Sequence, residues 1–476
     1  MHFRPSTSTS LVISLLTYLL LITSCGKRSH EGLIILTQAQ YGGETNFISG
    51  ESWRYIEKSN ILIINPDKPV KQAEILTSEF FSALSPEISY DGKNIIFSGK
   101  LTGNDPWQIW EMNLRNKKFR QVTSTSDNCI DPAYLPGDRV VFSRYLKNDT
   151  LKGEHSLFTC NPDGTNNRRI TFNPHTYFAS SVLNDGRVTT ISRQIFPAPG
   201  KASIMVLRPD GTKSELFYQG AEGSSLFSKG LETEDGRIVF IERENNNNNK
   251  GSVVSINYNQ PLHSRINHSS SINGDFNSVT PFQNGKFLVS YRSVDSERFG
   301  LYEYDPENMS VGKMIYINSE FDVIASVLVK EHSRPRKLPS EVDTAVKTGL
   351  LLCQNINITG MNSPEGEPFN HPSGSIEIMG IDSSLGVVEV EKDGSFYLKV
   401  AADMPFTIKT FDKEGRVING PGAWIWLRPN ERRGCTGCHE DQEMVPANRY
   451  SLAVKKDPVS IPVHIKGVKE KEVELE

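Results

Sequence analysis

The clearest copy of the repeated pattern in this chain is Ser85-Pro86-Glu87-Ile88-Ser89-Tyr90-Asp91-Gly92-Lys93-Asn94-Ile95-Ile96-Phe97. An Asp-Gly pair that precedes an apolar run is typical of a tight hairpin leading into a β-strand. Similar turn glycines stand at positions 92, 137, 186, 236 and 285, so the spacings are 45, 49, 50 and 49 residues. A repeat in the upper forties with several short strands per unit predicts the blades of a β-propeller.

The propeller is expected to occupy residues 31–332 and to have six blades, with seven as the alternative count. Five repeats carry a clear hairpin, and the apolar runs at 61–65 and 321–323 flank them. Pairing these two ends would complete the sixth blade. The repeat, Ser-Pro-Asp-Gly followed by an apolar strand, resembles that of the TolB-type (PD40-like) propeller family. The resemblance implies a scaffold on which other cell-envelope proteins dock.

The N-terminus predicts secretion and lipid anchoring. His2 and Arg4 precede an apolar run that is shorter than a membrane span and fits the central region of a signal peptide. The run ends at Ile22-Thr23-Ser24-Cys25, which resembles a bacterial lipobox. We therefore expect residues 1–25 to be a lipoprotein signal with a lipidated Cys25. The body would lie in the bacterial cell envelope, at the outer membrane and facing the periplasm, and the alternative is an ordinary signal peptide.

Composition narrows the remaining possibilities. The formal charge of −4 gives no basic footprint for nucleic acid. Neither G-x-S-x-G nor H-E-x-x-H occurs in the chain, so no motif points to hydrolysis. Cys129, Cys160 and Cys353 are single cysteines whose pairing is left open, with Cys129 and Cys160 the short-range candidates and buried thiols the alternative.

Residues beyond the propeller divide into three predicted parts. Residues 333–340 contain two prolines and three basic residues and are expected to be a linker. Residues 341–427 contain alternating apolar runs and an Asp-Gly turn, which predict a small β-sandwich-like module. Residues 428–476 are expected to be a haem-binding segment with a charged tail.

The chemistry of that last segment rests on Cys435-Thr436-Gly437-Cys438-His439. C-x-x-C-H is the attachment signature of c-type haem: both thiols bond to the porphyrin, and the histidine ligates the iron. Cys435, Cys438 and His439 are therefore the predicted haem c residues. The alternatives are a disulfide, or a zinc site in which His439 is a ligand.

The sequence around the motif, E-R-R-G-C-T-G-C-H-E, has Trp424 and Trp426 upstream and Pro446-Ala447-Asn448-Arg449 downstream. It resembles the haem domain of hydrazine synthase alpha-subunit-like proteins, which also follows a propeller. In that family a tyrosine shortly after the motif is the iron ligand and the motif histidine turns towards zinc. Residues 440–444 contain no tyrosine, and about 37 residues follow the only motif, whereas the enzyme has a second haem domain. The resemblance thus implies a monohaem redox relative and not hydrazine synthesis itself.

The remaining haem environment is predicted from residue type. Met444 is a candidate second iron ligand, and the histidines 464, 371 and 332 are alternatives. Trp424, Trp426 and Phe411 are candidates for packing the haem face or, without a cofactor, for filling the sandwich core. Arg432, Arg433 and Arg449 are candidates for pairing with the propionates, or for a solvated basic rim.

Three functions remain open at this point. In the first, the chain is a membrane-anchored c-type haem protein that transfers electrons to a redox partner docking on the propeller. In the second, the propeller binds a protein or glycan and the haem domain is accessory. In the third, the chain is a haem enzyme acting on a small nitrogen or oxygen species, so whether it is an enzyme is undecided.

Overall fold

The computed structural model describes residues 30–40, 54–69, 73–148, 153–226, 228–245, 250–294, 297–358, 372–437, 443 and 450–462. The regular secondary structure of these residues is almost entirely β-strand. Six sheets follow one another between residues 34 and 328, and two more lie between 348 and 461. This confirms the predicted all-β fold class. No helix in the described part of the chain is long and apolar enough to cross a membrane.

The first six sheets are propeller blades of antiparallel strands. The first blade combines β1 (Ile34–Ala39), β2 (Asn60–Ile64) and β3 (Glu74–Ile75) with β25 (Asp322–Leu328). The other five blades are β4–β7 (Ser82–Ile88, Asn94–Lys100, Gln108–Asn113, Phe119–Gln121), β8–β11 (Cys129–Leu135, Arg139–Leu146, Glu154–Cys160, Arg168–Arg169), β12–β15 (His175–Val182, Val188–Gln194, Ala202–Leu207, Glu215–Tyr218), β16–β20 (Ser224–Leu226, Leu231–Glu232, Arg237–Glu244, Gly251–Asn257, Ile266–Asn267) and β21–β24 (Asp275–Pro281, Phe287–Arg292, Gly300–Asp305, Ser310–Tyr316).

The ring closes in the blade that the flanking apolar runs indicated, but the predicted pairing of 61–65 with 321–323 is wrong, because β1 lies between β2 and β25. Strand β25 pairs antiparallel with β1 from Ile34 opposite Leu328 to Ala39 opposite Asp322. All six residues of β1 are buried. Strand β25 also packs against the innermost strands of the second and sixth blades, so the described residues form six blades and not seven. Pairing with β25 covers the edge of β1 that would otherwise be open.

The turn glycines are regularly spaced in the sequence because the same hairpin recurs from the second to the sixth blade. Gly92 and Gly186 adopt left-handed conformations, with φ of 67° and 89°, at the tips of their hairpins. In the third blade Asp138, at φ 54°, takes this role in place of Gly137. The phenylalanine of the apolar run that follows is fully buried at Phe97 and Phe142. We call the side of the ring that carries these tips the turn face.

The predicted linker lies along the turn face. The His332 N–H donates to the Tyr90 carbonyl at 3.0 Å, and the Arg336 N–H donates to the Asn184 carbonyl at 3.0 Å. A Cβ atom at Gly186 would lie 1.8 Å from the Arg336 carbonyl oxygen. The turn glycine therefore serves both the hairpin and the close approach of the linker. Residues 330–341 form a strap across the second to fourth blades.

The last two sheets form the predicted sandwich. One has the order β32 (Arg432–Cys435), β26 (Thr348–Cys353), β29 (Phe396–Ala401) and β33 (Val459–Ile461). The other has the order β28 (Ser384–Glu389), β27 (Ser375–Met379), β30 (Thr407–Phe411) and β31 (Val417–Asn419). Short 3-10 helices occur at Gln283–Gly285 and Leu452–Lys455.

Residues from both sheets build the sandwich core, among them Leu351, Leu398, Ile378 and Phe406. Strands β32 and β33 come from the segment 428–476, and each runs parallel to its neighbour in the first sheet. The segment that carries the Cys-x-x-Cys-His motif is thus part of a sandwich sheet.

Candidate functional site

Cys435 is the last residue of β32, at the edge of the sandwich sheet. The Cys435 carbonyl accepts a hydrogen bond from the Gln354 N–H at 2.8 Å, and the Thr436 carbonyl accepts one from the Asn355 N–H at 3.0 Å. The Cys435 side chain is half-buried and packs against the sandwich core. Cys438 and His439 lie outside the described residues.

Position 437 must be glycine because Ile358 lies too close to it for a side chain. A Cβ atom at this position would lie 2.3 Å from the Ile358 carbonyl oxygen and 2.7 Å from the Ile358 Cβ. At Gly434, on the other side of Cys435, nothing lies within 4 Å of the same added atom. The backbone after Cys435 is therefore held tightly, while the backbone just before it borders open space.

Glu431 connects the motif strand to the propeller. Its side chain is fully buried. Oε1 accepts hydrogen bonds from the Lys213 N–H at 2.9 Å and from Arg433 Nη2 at 2.7 Å, and Oε2 accepts one from the Arg428 N–H at 2.8 Å. Lys213 Nζ also donates to the Arg432 carbonyl. A single carboxylate thus fixes both ends of the turn before β32 and joins them to the fourth blade.

Arg428 adds a second connection between the two domains. Its Nε donates to the Asp210 carbonyl at 3.0 Å, and its Nη1 pairs with Asp403 Oδ1 at 2.5 Å. The guanidinium also lies over the ring of Phe172, 4.7 Å from its centroid. Burial raises the pKa of Asp403, although Arg428 acts in the opposite direction.

The two predicted tryptophans lie at this domain interface. Trp426 is 1% exposed and packs with Leu135, Tyr177 and Leu207 of the third and fourth blades. Its Nε1 has no hydrogen-bond partner among the described residues. Trp424 Nε1 donates to the Phe196 carbonyl at 2.9 Å. Both rings therefore dock the sandwich on the propeller, a role that needs no cofactor and differs from the sandwich-core role considered above.

Some of the other predicted haem neighbours are described by the structure, and the rest lie outside the described residues. Arg433 is described and directs its guanidinium to Glu431, while Arg432 is exposed. Phe411 lies on β30, with Lys409 Nζ 5.2 Å from its ring centroid. Met444, Arg449 and Cys25, and the candidate ligands at 371 and 464, lie outside the described residues.

Of the candidate iron ligands other than the motif histidine, His332 is a described residue. His332 lies in the strap, with its ring 5.2 Å from that of Tyr90, at a cavity on the propeller axis.

Glu443, four residues after His439, accepts a hydrogen bond through Oε1 from the Leu262 N–H at 2.6 Å. The chain after the motif therefore meets the fifth blade, and the sequence contains no signal that would have predicted this contact.

The cavity on the propeller axis has a volume of about 390 Å³ and is lined by the inner strands of the blades. The ion pair between Lys229 Nζ and Glu87 Oε2, 2.7 Å long, spans part of its wall. Tyr90 and His332 border it where the strap passes. Its lining mixes apolar side chains, such as Leu84 and Val279, with many polar and charged ones, so a ligand here would meet both kinds of group.

A buried ion pair also borders this cavity. Asp131 accepts hydrogen bonds from Ser85 Oγ at 2.8 Å and from the Ala179 N–H at 2.9 Å, and it pairs with Arg54 Nη1 at 3.0 Å. Ser85, Asp131 and Ala179 all have φ between 52° and 54°, at irregularities in β4, β8 and β12. Burial lowers the pKa of Arg54 to about 10, even though Asp131 opposes this shift. The pair therefore ties three inner strands to the segment before β2.

Two histidines lie within the propeller: His155 is buried and His175 is half-buried. His155 contacts the Tyr55 hydroxyl through Nε2, and burial lowers the pKa of His155 to about 4. Burial likewise lowers the pKa of His175 to about 4. Both rings are therefore neutral at pH 7 and belong to the propeller interior.

Cys129 and Cys160 are fully buried thiols in the third blade. The strand register places Cys129 level with Ser156, four residues before Cys160, which is about 13 Å along the strand. That separation is too long for a disulfide. Among the described residues no cluster of three or more His, Cys, Asp and Glu side chains could hold a metal ion.

Known proteins resemble both domains. Residues 356–440 match the model of the hydrazine synthase alpha subunit middle domain. The chain is 21% identical to hydrazine synthase subunit alpha of Kuenenia stuttgartiensis over 514 residues, which covers 81% of this chain and 63% of that protein. It spans, in other words, less than two thirds of the length of that subunit.

The fold is similar as well. The solved hydrazine synthase of Kuenenia stuttgartiensis superposes with a TM-score of 0.76 at 19% identity, over 89% of this chain and 71% of that one. The Tol-Pal system protein TolB of Francisella tularensis is 27% identical over 113 residues, or 24% of this chain and 25% of that protein. The predicted resemblances are thus confirmed: this chain has a TolB-like propeller, and it is hydrazine synthase alpha-like in sequence and fold.

Proposed function

We propose that this protein is an extracytoplasmic c-type haem protein with a redox role, in which Cys435 and Cys438 hold the haem and His439 ligates its iron. The observation that carries the proposal is the position of Cys435. Its half-buried sulfur stands at the end of an edge strand, inside the segment that matches the hydrazine synthase alpha middle domain. A sulfur at a sheet edge suits a thioether bond to a porphyrin, because the group can lie beside the sheet and not within its core.

Haem supplies an iron that changes between two oxidation states, and the residues of this chain would position it. The paired backbones of β26 and β32 fix Cys435, and Gly437 allows the chain to pass Ile358 closely. Glu431 fixes the start of the same strand to the fourth blade. The haem would therefore be held in a constant position relative to the propeller.

This arrangement favours the function in which haem and propeller act together over the one in which the haem domain is accessory to a binding propeller. The strap, the two tryptophans and Arg428 all join the sandwich to the ring. A redox partner that docks on the propeller would then meet a haem at a defined distance. Electron transfer to such a partner is the function we favour.

We further propose that the mature protein is anchored in the bacterial envelope by lipid on Cys25. The support is the lipobox-like sequence at 22–25, which follows a short apolar run. Haem would then be attached in the compartment to which the signal directs the chain. If Cys25→Ser leaves the protein in the membrane fraction after a salt wash, the anchoring proposal is wrong.

Absorption spectra of oxidised and reduced protein test the haem proposal. The protein is expressed with a cytochrome c maturation system, denatured and extracted with acidified organic solvent. Covalent haem should remain with the wild-type chain and disappear in the Cys435→Ala, Cys438→Ala double variant. Cys129→Ala is the matched control, because Cys129 is buried in the third blade and should not affect haem. Protein without haem, or with stoichiometric zinc in its place, would overturn the proposal.

The cavity on the propeller axis supports a second function, the binding of a small ligand or of a partner's side chain. Its volume of about 390 Å³ is within the range of ligand pockets. Crystals soaked with a mixture of small organic fragments would test this function directly. Ordered fragments beside Lys229 and Glu87 are expected if the cavity binds ligands, and water alone would argue against it.

A further inference from the structure

Cys353 and Cys435 are neighbours in the sandwich sheet. Strands β26 and β32 run parallel, and Cys353 lies in register with Cys435. Level residues on neighbouring parallel strands point to the same face of a sheet. Cys353 is 1% exposed within the sandwich core, and Cys435 packs against that core from the sheet edge. Both residues are thiols in this structure.

We propose that Cys353 and Cys435 form a disulfide in the haem-free protein, and that the same two residues are a thiol and a thioether in the haem-loaded protein. Neighbouring strands lie about 4.8 Å apart, and the Cα atoms of disulfides are usually about 4.4–6.8 Å apart. The two strands therefore already hold the cysteines within bonding range. The second half of the proposal rests on the haem function proposed above.

The chemistry is thiol–disulfide exchange with a low-molecular-weight or protein disulfide, such as oxidised glutathione. The Cys435 thiolate attacks the external disulfide and forms a mixed disulfide, releasing one thiol. The Cys353 thiolate then attacks the Cys435 sulfur and releases the second thiol. One S–S bond forms and one breaks, and the two protons from the cysteines pass to the two released thiols.

Cys438 is the competing partner, because two cysteines separated by two residues also form disulfides. The structure favours Cys353, since strand pairing fixes its position relative to Cys435. Cys129 and Cys160 serve as internal references. Both are fully buried in the propeller and are expected to remain thiols under the same treatment.

Peptide mapping of the full chain tests the proposal. Haem-free protein is prepared in a host without cytochrome c maturation, reduced, and incubated with oxidised glutathione. Remaining thiols are alkylated under denaturing conditions, and the protein is digested and analysed by tandem mass spectrometry. The expected product links Cys353 to Cys435, leaves Cys438 alkylated, and is lost in Cys353→Ser.

Haem-loaded wild type should give no such link, and its Cys353 should be alkylated only after denaturation. A Cys435–Cys438 disulfide as the main product in haem-free wild type, with Cys353 alkylated, would overturn the proposal. This mapping uses the unaltered chain, so its outcome does not depend on the folding of Cys353→Ser. If the link forms but no host produces haem-loaded protein, the haem proposal fails and the disulfide stands. If haem attaches but the Cys353–Cys435 link never forms, the disulfide proposal fails and the haem proposal stands.

Discussion

Replacing Trp426 by alanine should separate the sandwich from the propeller. The indole is 1% exposed, and its neighbours Leu135, Tyr177 and Leu207 belong to the third and fourth blades. Burying an aromatic side chain removes about 150–250 Å² of its surface from water. At about 25 cal/mol per Å², this burial stabilises the folded protein by about 4–6 kcal/mol. Measured losses for Trp→Ala in protein cores are about 3–5 kcal/mol. We expect the loss to fall on domain docking, because the side chain bridges two domains.

Trp426→Phe should cost much less than the alanine change. Nε1 of Trp426 has no hydrogen-bond partner among the described residues, and such a buried donor costs about 1–3 kcal/mol. Phenylalanine removes this donor and keeps most of the apolar area, so the two effects nearly cancel. The matched control is Trp424→Phe, which removes the hydrogen bond from Trp424 Nε1 to the Phe196 carbonyl. That variant should be destabilised by about 1 kcal/mol.

Urea unfolding followed by circular dichroism measures these differences, and limited proteolysis reports the docking. Undocking should expose the strap at residues 330–341, so cleavage there should become faster in Trp426→Ala than in the wild type. The reasoning is refuted if Trp426→Ala lies within about 1 kcal/mol of the wild type. It is equally refuted if Trp426→Phe is as destabilised as Trp426→Ala.

Three other changes follow from the same structure. Asp131→Ala should cost about 3–5 kcal/mol in thermal unfolding, because it leaves the buried Arg54 guanidinium without its carboxylate; a loss under about 1 kcal/mol would contradict the buried pair. For His175, burial lowers the folded-state pKa to about 4, so the unfolded chain binds a proton that the folded chain does not. Stability should therefore fall as the pH drops from about 6.5 to about 4, by up to about 3 kcal/mol, and His175→Phe should flatten the dependence of the urea midpoint on pH; an unchanged slope would show that His175 does not carry the effect. Gly437→Ala should reduce the fraction of chains with covalent haem, because its Cβ would collide with the neighbouring segment, while Gly434→Ala should not; equal haem content in both variants would contradict the close approach.

The propeller was predictable because its information is local. Each Asp-Gly or Asn-Gly turn specifies one hairpin, and an apolar run supplies the strand that follows it. The blade count required one non-local step, the pairing of β1 with β25. The apolar run at 61–65 became β2, a strand inside the first blade, and the closing strand that precedes it is Ile34–Ala39. Local patterns thus indicated the correct blade, although they did not identify which of its strands closes the ring.

The surroundings of the motif were less predictable, because packing between domains has no local signature. Trp426 is an aromatic residue before a Cys-x-x-Cys-His motif, which is equally compatible with a haem face, a sandwich core and a domain interface. The structure assigns it to the interface because the third and fourth blades provide an apolar surface there. Glu431 similarly appears in the sequence as one charge among several near the motif. Only the fold reveals that it is fully buried and that the fourth blade supplies one of its donors.

The neighbour of Cys435 could not be predicted for a related reason. Cys353 precedes Cys435 by 82 positions, and parallel strands cannot be joined by a tight turn that would announce their pairing. A shift of β32 by one residue would turn Cys435 to the other face of the sheet and away from Cys353. The backbone hydrogen bonds to Gln354 and Asn355, together with the contacts of Glu431 at the start of the strand, oppose such a shift. The contacts that would position a haem are therefore the same contacts that hold the two cysteines together before haem is attached.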